Sequence, residues 1–266
     1  MWLRRLLFEA AYQGTRYHGY QVQKNAVTVA GTIQDAVEKV WGCREGITGC
    51  SRTDTGVHAR QFFFHMDTHH TIPTDAAVRA LNVNLPGDIA ILSCREVAPD
   101  FHARYNVCYK EYTYQIWNSA VKNPFLDGLA MHHKYPLDVE RMHTCGQEFV
   151  GTHDFRGFCS TGSKAKPTAM DGGESTIRTI YSFEVERQGD MVLLRVCGNG
   201  FLYNMVRIMV GTLLMSGPYQ LKPGDLTAIL AGGNRADAGI TAPAAGLYLT
   251  KVSYLPFEGK GGGPNG

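Results

Sequence analysis

The chain has 266 residues, 44% hydrophobic and 19% charged, with 26 Lys and Arg against 24 Asp and Glu, a formal net charge of +2. That length can bury a sizeable core, as one large domain or two joined ones. The near-balance of charge excludes a global basic field, so any phosphate backbone would have to be met by a local cluster of Arg and Lys. No apolar run approaches the roughly 20 residues of a membrane span, so no membrane association is expected. The start, MWLRRLLFEAAY, lacks a small-residue cleavage site, which points to a cytoplasmic chain without a signal peptide. Seven cysteines, at 43, 50, 94, 108, 145, 159 and 197, form no CxxC pair, and reduced thiols are the plain reading. The doublets His69-His70 and His132-His133 lack cysteine or carboxylate partners at ligand spacing, so no metal site and no cofactor is expected.

Along the chain, Leu6, Phe8 and Ala10 alternate as on a strand, and Gln13-Gly14-Thr15 turns it. Thr32 reads as a helix N-cap with Asp35 three residues on, and Ile33, Ala36, Val37, Val40 and Trp41 share one helical face. Residues 59–67 read as a strand, 74–83 as a helix ended by Pro86-Gly87, and 89–97 as another strand. A similar succession follows. Residues 106–117 have strong β character, 137–150 are helical with Gly151 ending the helix, and 177–187 and 191–198 are strands joined at Gln188-Gly189-Asp190. Residues 201–215 form a long apolar helix, 225–230 a short one, and 246–254 a final strand. The polar, glycine-bearing stretch 160–175 is a long loop, and the tail GKGGGPNG (259–266) is expected to be unstructured. The expected class is α+β: two halves, 1–105 and 106–257, forming one mainly antiparallel sheet with helices on one face, before a Gly-rich tail at 258–266.

The stretch GCSRTDTGVHARQ (49–61) surrounds one carboxylate, Asp54, with glycines and small residues. Taken alone, Thr-Asp-Thr-Gly is good turn chemistry. Arg207, inside an apolar and hence buried helix, needs a counter-charge or a route to solvent. Asp54 is a suitable partner, and a paired carboxylate would stay ionised and oriented.

SRTDTGVHA closely resembles the catalytic loop of the A-type tRNA pseudouridine synthases. YQGTRYHGYQVQ (12–23), FHAR (101–104), Tyr112-Thr113-Tyr114, GTHDF (151–155), IRTI (177–180), GNGFLYNMVR (198–207) and APAAGLYL (242–249) resemble that family's further motifs, in order. The resemblance implies a pseudouridine synthase fold with pseudo-symmetric halves, and isomerisation of uridine to pseudouridine in tRNA, at positions 38–40 of the anticodon stem-loop, by base flipping. It implies Asp54 as nucleophile or base, Arg207 as its ion-pair partner, and Tyr112 beneath the uracil. It further implies Leu247 on the other face and Arg52 filling the vacated space or holding a phosphate. It implies a homodimer binding tRNA. Candidate RNA contacts are Arg16, Lys24, Arg60, Arg104, Lys110, Lys164 and Lys166, in or beside the matched segments and the long loop. The glycines around Asp54 are expected to let a flipped nucleotide approach. The alternatives are an RNA-binding or tRNA-folding protein on the same scaffold, and a paralogue modifying a different uridine.

Overall fold

The computed structural model describes residues 3–160, 175–215 and 220–258. The chain forms two compact units, one from residues up to 107 together with 244–252, the other from 108–243 and the residues from 253 on.

In the first unit, β1 (Arg4–Tyr12) pairs antiparallel with β3 (His58–Thr68) on one side and β4 (Ile89–Val97) on the other. The pairing sets Leu6 opposite Met66, Phe8 opposite Phe64 and Ala10 opposite Phe62. Every second residue of each strand therefore faces one core, where Phe8 and Phe64 stack with centroids 5.0 Å apart. The helices α1 (Val29–Trp41) and α2 (Thr74–Asn84) pack on each other. α1 buries Ile33, Val37 and Trp41, and α2 buries Ala77 and Leu81. A short strand, β2 (Ile47–Gly49), pairs antiparallel with the far half of β3, and β10 (Leu247–Ser253) pairs parallel with its near end. Leu7 is also buried, and opposite it on β3 stands His65, whose Nδ1 accepts from the Ala103 N–H at 3.1 Å. The 101–104 segment thus covers part of the second face of the sheet.

In the second unit, β5 (Tyr109–Trp117), β9 (Met191–Gly198), β8 (Ile177–Gln188) and β7 (Gly151–Asp154) follow one another antiparallel, with the two-residue β6 (Met131–His132) parallel beside β5. α3 (Val139–Gly146) packs with both α5 (Asp225–Gly232) and α4 (Met205–Leu213), and every residue of α4 but Arg207 is buried. The α+β class is as expected: each unit has a mainly antiparallel sheet and helices.

Several boundaries differ from expectation. α1 begins a turn early, because Thr28, whose Oγ1 accepts from the Gly31 N–H at 3.2 Å, is the cap. Thr32 instead donates its hydroxyl to the Thr28 carbonyl. α4 starts at 205, not 201, because Asn204 has φ +60° and cannot lie inside a right-handed helix. The helix expected over 137–150 tightens into a 3-10 turn after Gly146, and residues 151–154 form the edge strand β7. The expected tail at 259–266 lies outside the described residues.

Candidate active site

Asp54 stands in the loop between β2 and β3, and the chain on either side of it is gripped by the segment after β1. The Thr53 carbonyl accepts from the Tyr20 N–H at 3.1 Å, the Gly56 N–H donates to the Tyr17 carbonyl at 3.2 Å, and the Thr53 hydroxyl bonds the buried Tyr12 hydroxyl at 2.8 Å. Within the loop the Val57 N–H donates to the Asp54 carbonyl at 3.1 Å. Two glycines make this grip sterically feasible. A Cβ on Gly14 would fall 2.0 Å from the Val57 carbonyl oxygen, and one on Gly19 would fall 2.6 Å from that of Thr53. Gly19 also has φ +81°, which disfavours any side chain. The YQGTRYHGY segment is therefore the clamp of the Asp54 loop.

Asp54 itself is partly exposed between the buried Thr53 and Val57. His58, which follows the loop, is fully buried and structural. Its Nδ1 accepts from the Gly14 N–H at 3.0 Å, its Nε2 lies 3.1 Å from the Ala245 carbonyl, and its ring stacks on Tyr248 at 4.5 Å. Those partners require the Nε2–H tautomer. Because β10 pairs Tyr248 with His58, the buried Leu247 falls beside the end of the Asp54 loop.

The loop glycines also have structural roles. A Cβ on Gly49 would meet the Tyr20 ring at 2.5 Å, and Gly56 turns the chain with φ +78°. Both serve the packing and path of the loop.

Neither Arg52 nor Arg104, both in this unit, has a carboxylate partner among the described residues. Arg52 is exposed two residues before Asp54. Arg104 is half-buried, and burial, then the field of Arg52, lowers its pKa from the usual arginine value. Such a pair calls for an anion.

The second unit carries Tyr112 and Arg207. Tyr112, on β5, is buried with its ring edge-on to Phe201 at 5.1 Å. Arg207 donates from Nε to the Ala242 carbonyl at 2.6 Å and from NH1 to Asn204 Oδ1 at 2.8 Å. Neither acceptor is charged. Tyr114 donates its hydroxyl to the neighbouring Pro243 carbonyl at 2.7 Å, and burial raises its pKa above the usual tyrosine range.

A family profile described as tRNA pseudouridine synthase matches residues 10–106 and 146–255. The chain belongs to the tRNA pseudouridine synthase family. It is 42% identical over 252 residues to a tRNA pseudouridine synthase A of Thermoanaerobacter, covering 95% of this chain and 100% of that one. It is 44% identical over 252 residues to the enzyme of that name from Brevibacillus brevis, with the same coverage. With that of Staphylococcus aureus it shares 39% identity over 251 residues, 94% of this chain and 92% of the other.

For a member of this family the expected RNA contacts divide by their partners. Arg16 is spent: it pairs with Asp88 at 2.6 Å, and Tyr17 donates to the same carboxylate at 2.7 Å. Arg60 is exposed, with its guanidinium 5.4 Å from the Tyr248 ring centroid. It lines a groove of about 420 Å³ with Tyr12, Gln13, Ile89 and Asp88, which Asp54 does not line. Lys24 is exposed after the clamp, and Lys110 is partly exposed on β5. Lys164 and Lys166 lie outside the described residues. Sequence reasoning passed over Gly14, Gly19, His58, Tyr114 and Asn204 as site-building residues, although all five fall inside the matched motifs. No described helix is long and apolar enough to cross a membrane.

Proposed function

We propose that Asp54 is the carboxylate with which this tRNA pseudouridine synthase acts, on uridines at positions 38–40 of the anticodon stem-loop. In the conversion the N1–C1′ bond of uridine breaks, the uracil turns, and C5 bonds to C1′. C5 gives up its hydrogen and N1 ends protonated, so atoms balance and no cofactor is required. A stacked base has to swing out of the helix before a side chain reaches it.

The observation that carries the assignment is the clamp: backbone meets backbone at Gly14–Val57 and Gly19–Thr53, at distances that exclude a Cβ, and Asp54 is held between them. A carboxylate fixed in this way needs little reorganisation when charge develops beside it. Arg207 is proposed as its counter-charge, Tyr112 and Leu247 as the surfaces against the two faces of the uracil. Arg52 and Arg104 are proposed to take the phosphate backbone. The protein is proposed to act as a cytoplasmic homodimer.

The test is incubation of purified protein with unmodified tRNA, followed by chemical mapping of pseudouridine. Product is expected at 38–40 with the wild-type chain and none with Asp54→Asn at unchanged melting temperature. Product from Asp54→Asn would overturn the role of Asp54, and product at other uridines would overturn the position. Tight tRNA binding without product from the wild-type chain would favour an RNA-binding role instead.

A further inference from the structure

Opposite the end of β3 that carries the Asp54 loop, three side chains of metal-binding type converge. Cys43 Sγ lies 3.4 Å from Glu45 Oε1 and 4.0 Å from His70 Nε2, and all three ligand atoms lie within 4.8 Å of one another. His70 has no such partner at sequence spacing. The pairing of β2 with β3 supplies it: the register that sets Ile47 opposite Met66 and Thr48 opposite His65, run on past the strand, carries Cys43 opposite His70.

We propose that Cys43, Glu45 and His70 bind a borderline-soft divalent cation such as Zn²⁺. A thiolate, an imidazole and a carboxylate suit such an ion better than Mg²⁺ or Ca²⁺, which take oxygen ligands. Bonds of about 2.3 Å to sulfur and 2.0–2.2 Å to nitrogen and oxygen put tetrahedral donors roughly 3.3–3.6 Å apart. The Cys43–Glu45 pair already stands at that separation, and the exposed His70 ring closes the rest with a small movement. Three protein ligands leave the fourth position to water. On binding, the thiol gives its proton to solvent as the S–metal bond forms.

The backbone under all three ligands is held independently of any ion. Gly42 closes α1 in the left-handed conformation with φ +74°, its N–H on the Glu38 carbonyl. Arg44, between the ligands, is turned back onto Asp35 and Glu38 of α1, so its charge points away. Gln34 donates to the Glu45 carbonyl at 2.9 Å. The His70 carbonyl accepts from Arg4 at 3.1 Å, its N–H donates to Thr68 Oγ1 at 3.2 Å, and its ring stands edge-on to Trp41 at 6.5 Å. Donors mounted on anchored backbone lose little freedom on closing around an ion. β3 spans 11 residues, about 35 Å at strand rise, so the ion would tie α1 to the sheet far from Asp54 and take no part in the isomerisation.

Co²⁺ titration of the metal-free full-length protein tests this. One equivalent is expected to produce a thiolate-to-metal charge-transfer band that Zn²⁺ abolishes by displacement. Cys43→Ser is expected to remove the band, and His70→Gln and Glu45→Gln each to weaken Co²⁺ by at least about tenfold, with circular dichroism and tRNA modification unchanged. No band in the wild-type chain, or an undiminished band in Cys43→Ser, would overturn the site.

Discussion

Asn204 is the one non-glycine residue with positive φ among those described, at +60°. That conformation costs about 1–3 kcal/mol where no local interaction favours it. Asparagine is a common helix cap, yet here the side chain makes no cap bond. Its Oδ1 accepts from Arg207, and its Nδ2 donates to Ser160 Oγ at 2.8 Å. Asn204 is thus a positioning residue for Arg207. Asn204→Gly keeps the left-handed backbone and deletes the amide. A hydrogen bond to a charged group is worth about 1.5–3 kcal/mol, so kcat is expected to fall about tenfold or more while the melting temperature holds or rises. Because this rests on the proposed role of Arg207, Arg207→Lys is measured in parallel. A wild-type kcat in Asn204→Gly alone would remove Asn204 from the mechanism, and in both variants would remove Arg207. At this scale the sequence displayed Asp54 and Arg207 through residue type and motif. It hid the clamp, because a glycine in a motif does not say which carbonyl it lies against.

The β1–β3 pair carries a pH response of its own. Arg5 holds Asp67 through two bonds of 2.7 Å, which keeps the Asp67 carboxyl below its ordinary pKa. His65, opposite Leu7, is lowered to about 4 by burial, then by the nearby Arg5 and His102, against a smaller opposing pull from Asp67. His102 is lowered too, by burial and then by Arg5 and Arg104. An imidazole whose folded pKa lies below its unfolded value of 6.5 resists protonation only in the folded state. Its contribution is fully present above about pH 6.5 and is lost as pH falls toward 4, where it levels off. The melting temperature is expected to fall across that window. His65→Asn, which keeps an acceptor for the Ala103 N–H and cannot titrate, is expected to flatten the profile. A wild-type melting temperature that is flat between pH 6.5 and 4 would contradict the assignment. Among elements, strands with alternating apolar residues and the α2 helix were legible, whereas β2, β6 and β7 were not. With two to four residues each, they carry no periodicity and exist because a neighbouring strand offers free hydrogen bonds.

For the molecule as a whole, a net charge of +2 means that RNA affinity has to come from a few placed cations. Binding of tRNA is expected to weaken linearly in log affinity against log salt, because each neutralised phosphate releases counterions. Arg52→Ala and Arg104→Ala are each expected to reduce that slope by about 1. Arg16→Ala is expected to leave it unchanged, since Asp88 already neutralises that guanidinium. Equal slopes for all three variants, measured by filter binding across a salt series, would show that placement does not matter. The sequence by itself determined the class and the reaction family, and it singled out Asp54 as the carboxylate proposed to carry the chemistry. Apolar periodicity and ordered motifs are local properties that survive in one dimension. Only the tertiary structure decided which charges are spent and which remain available, which glycines brace the Asp54 loop, and that Cys43, Glu45 and His70 meet. Those outcomes depend on strand register and close approach, which join residues far apart in the chain.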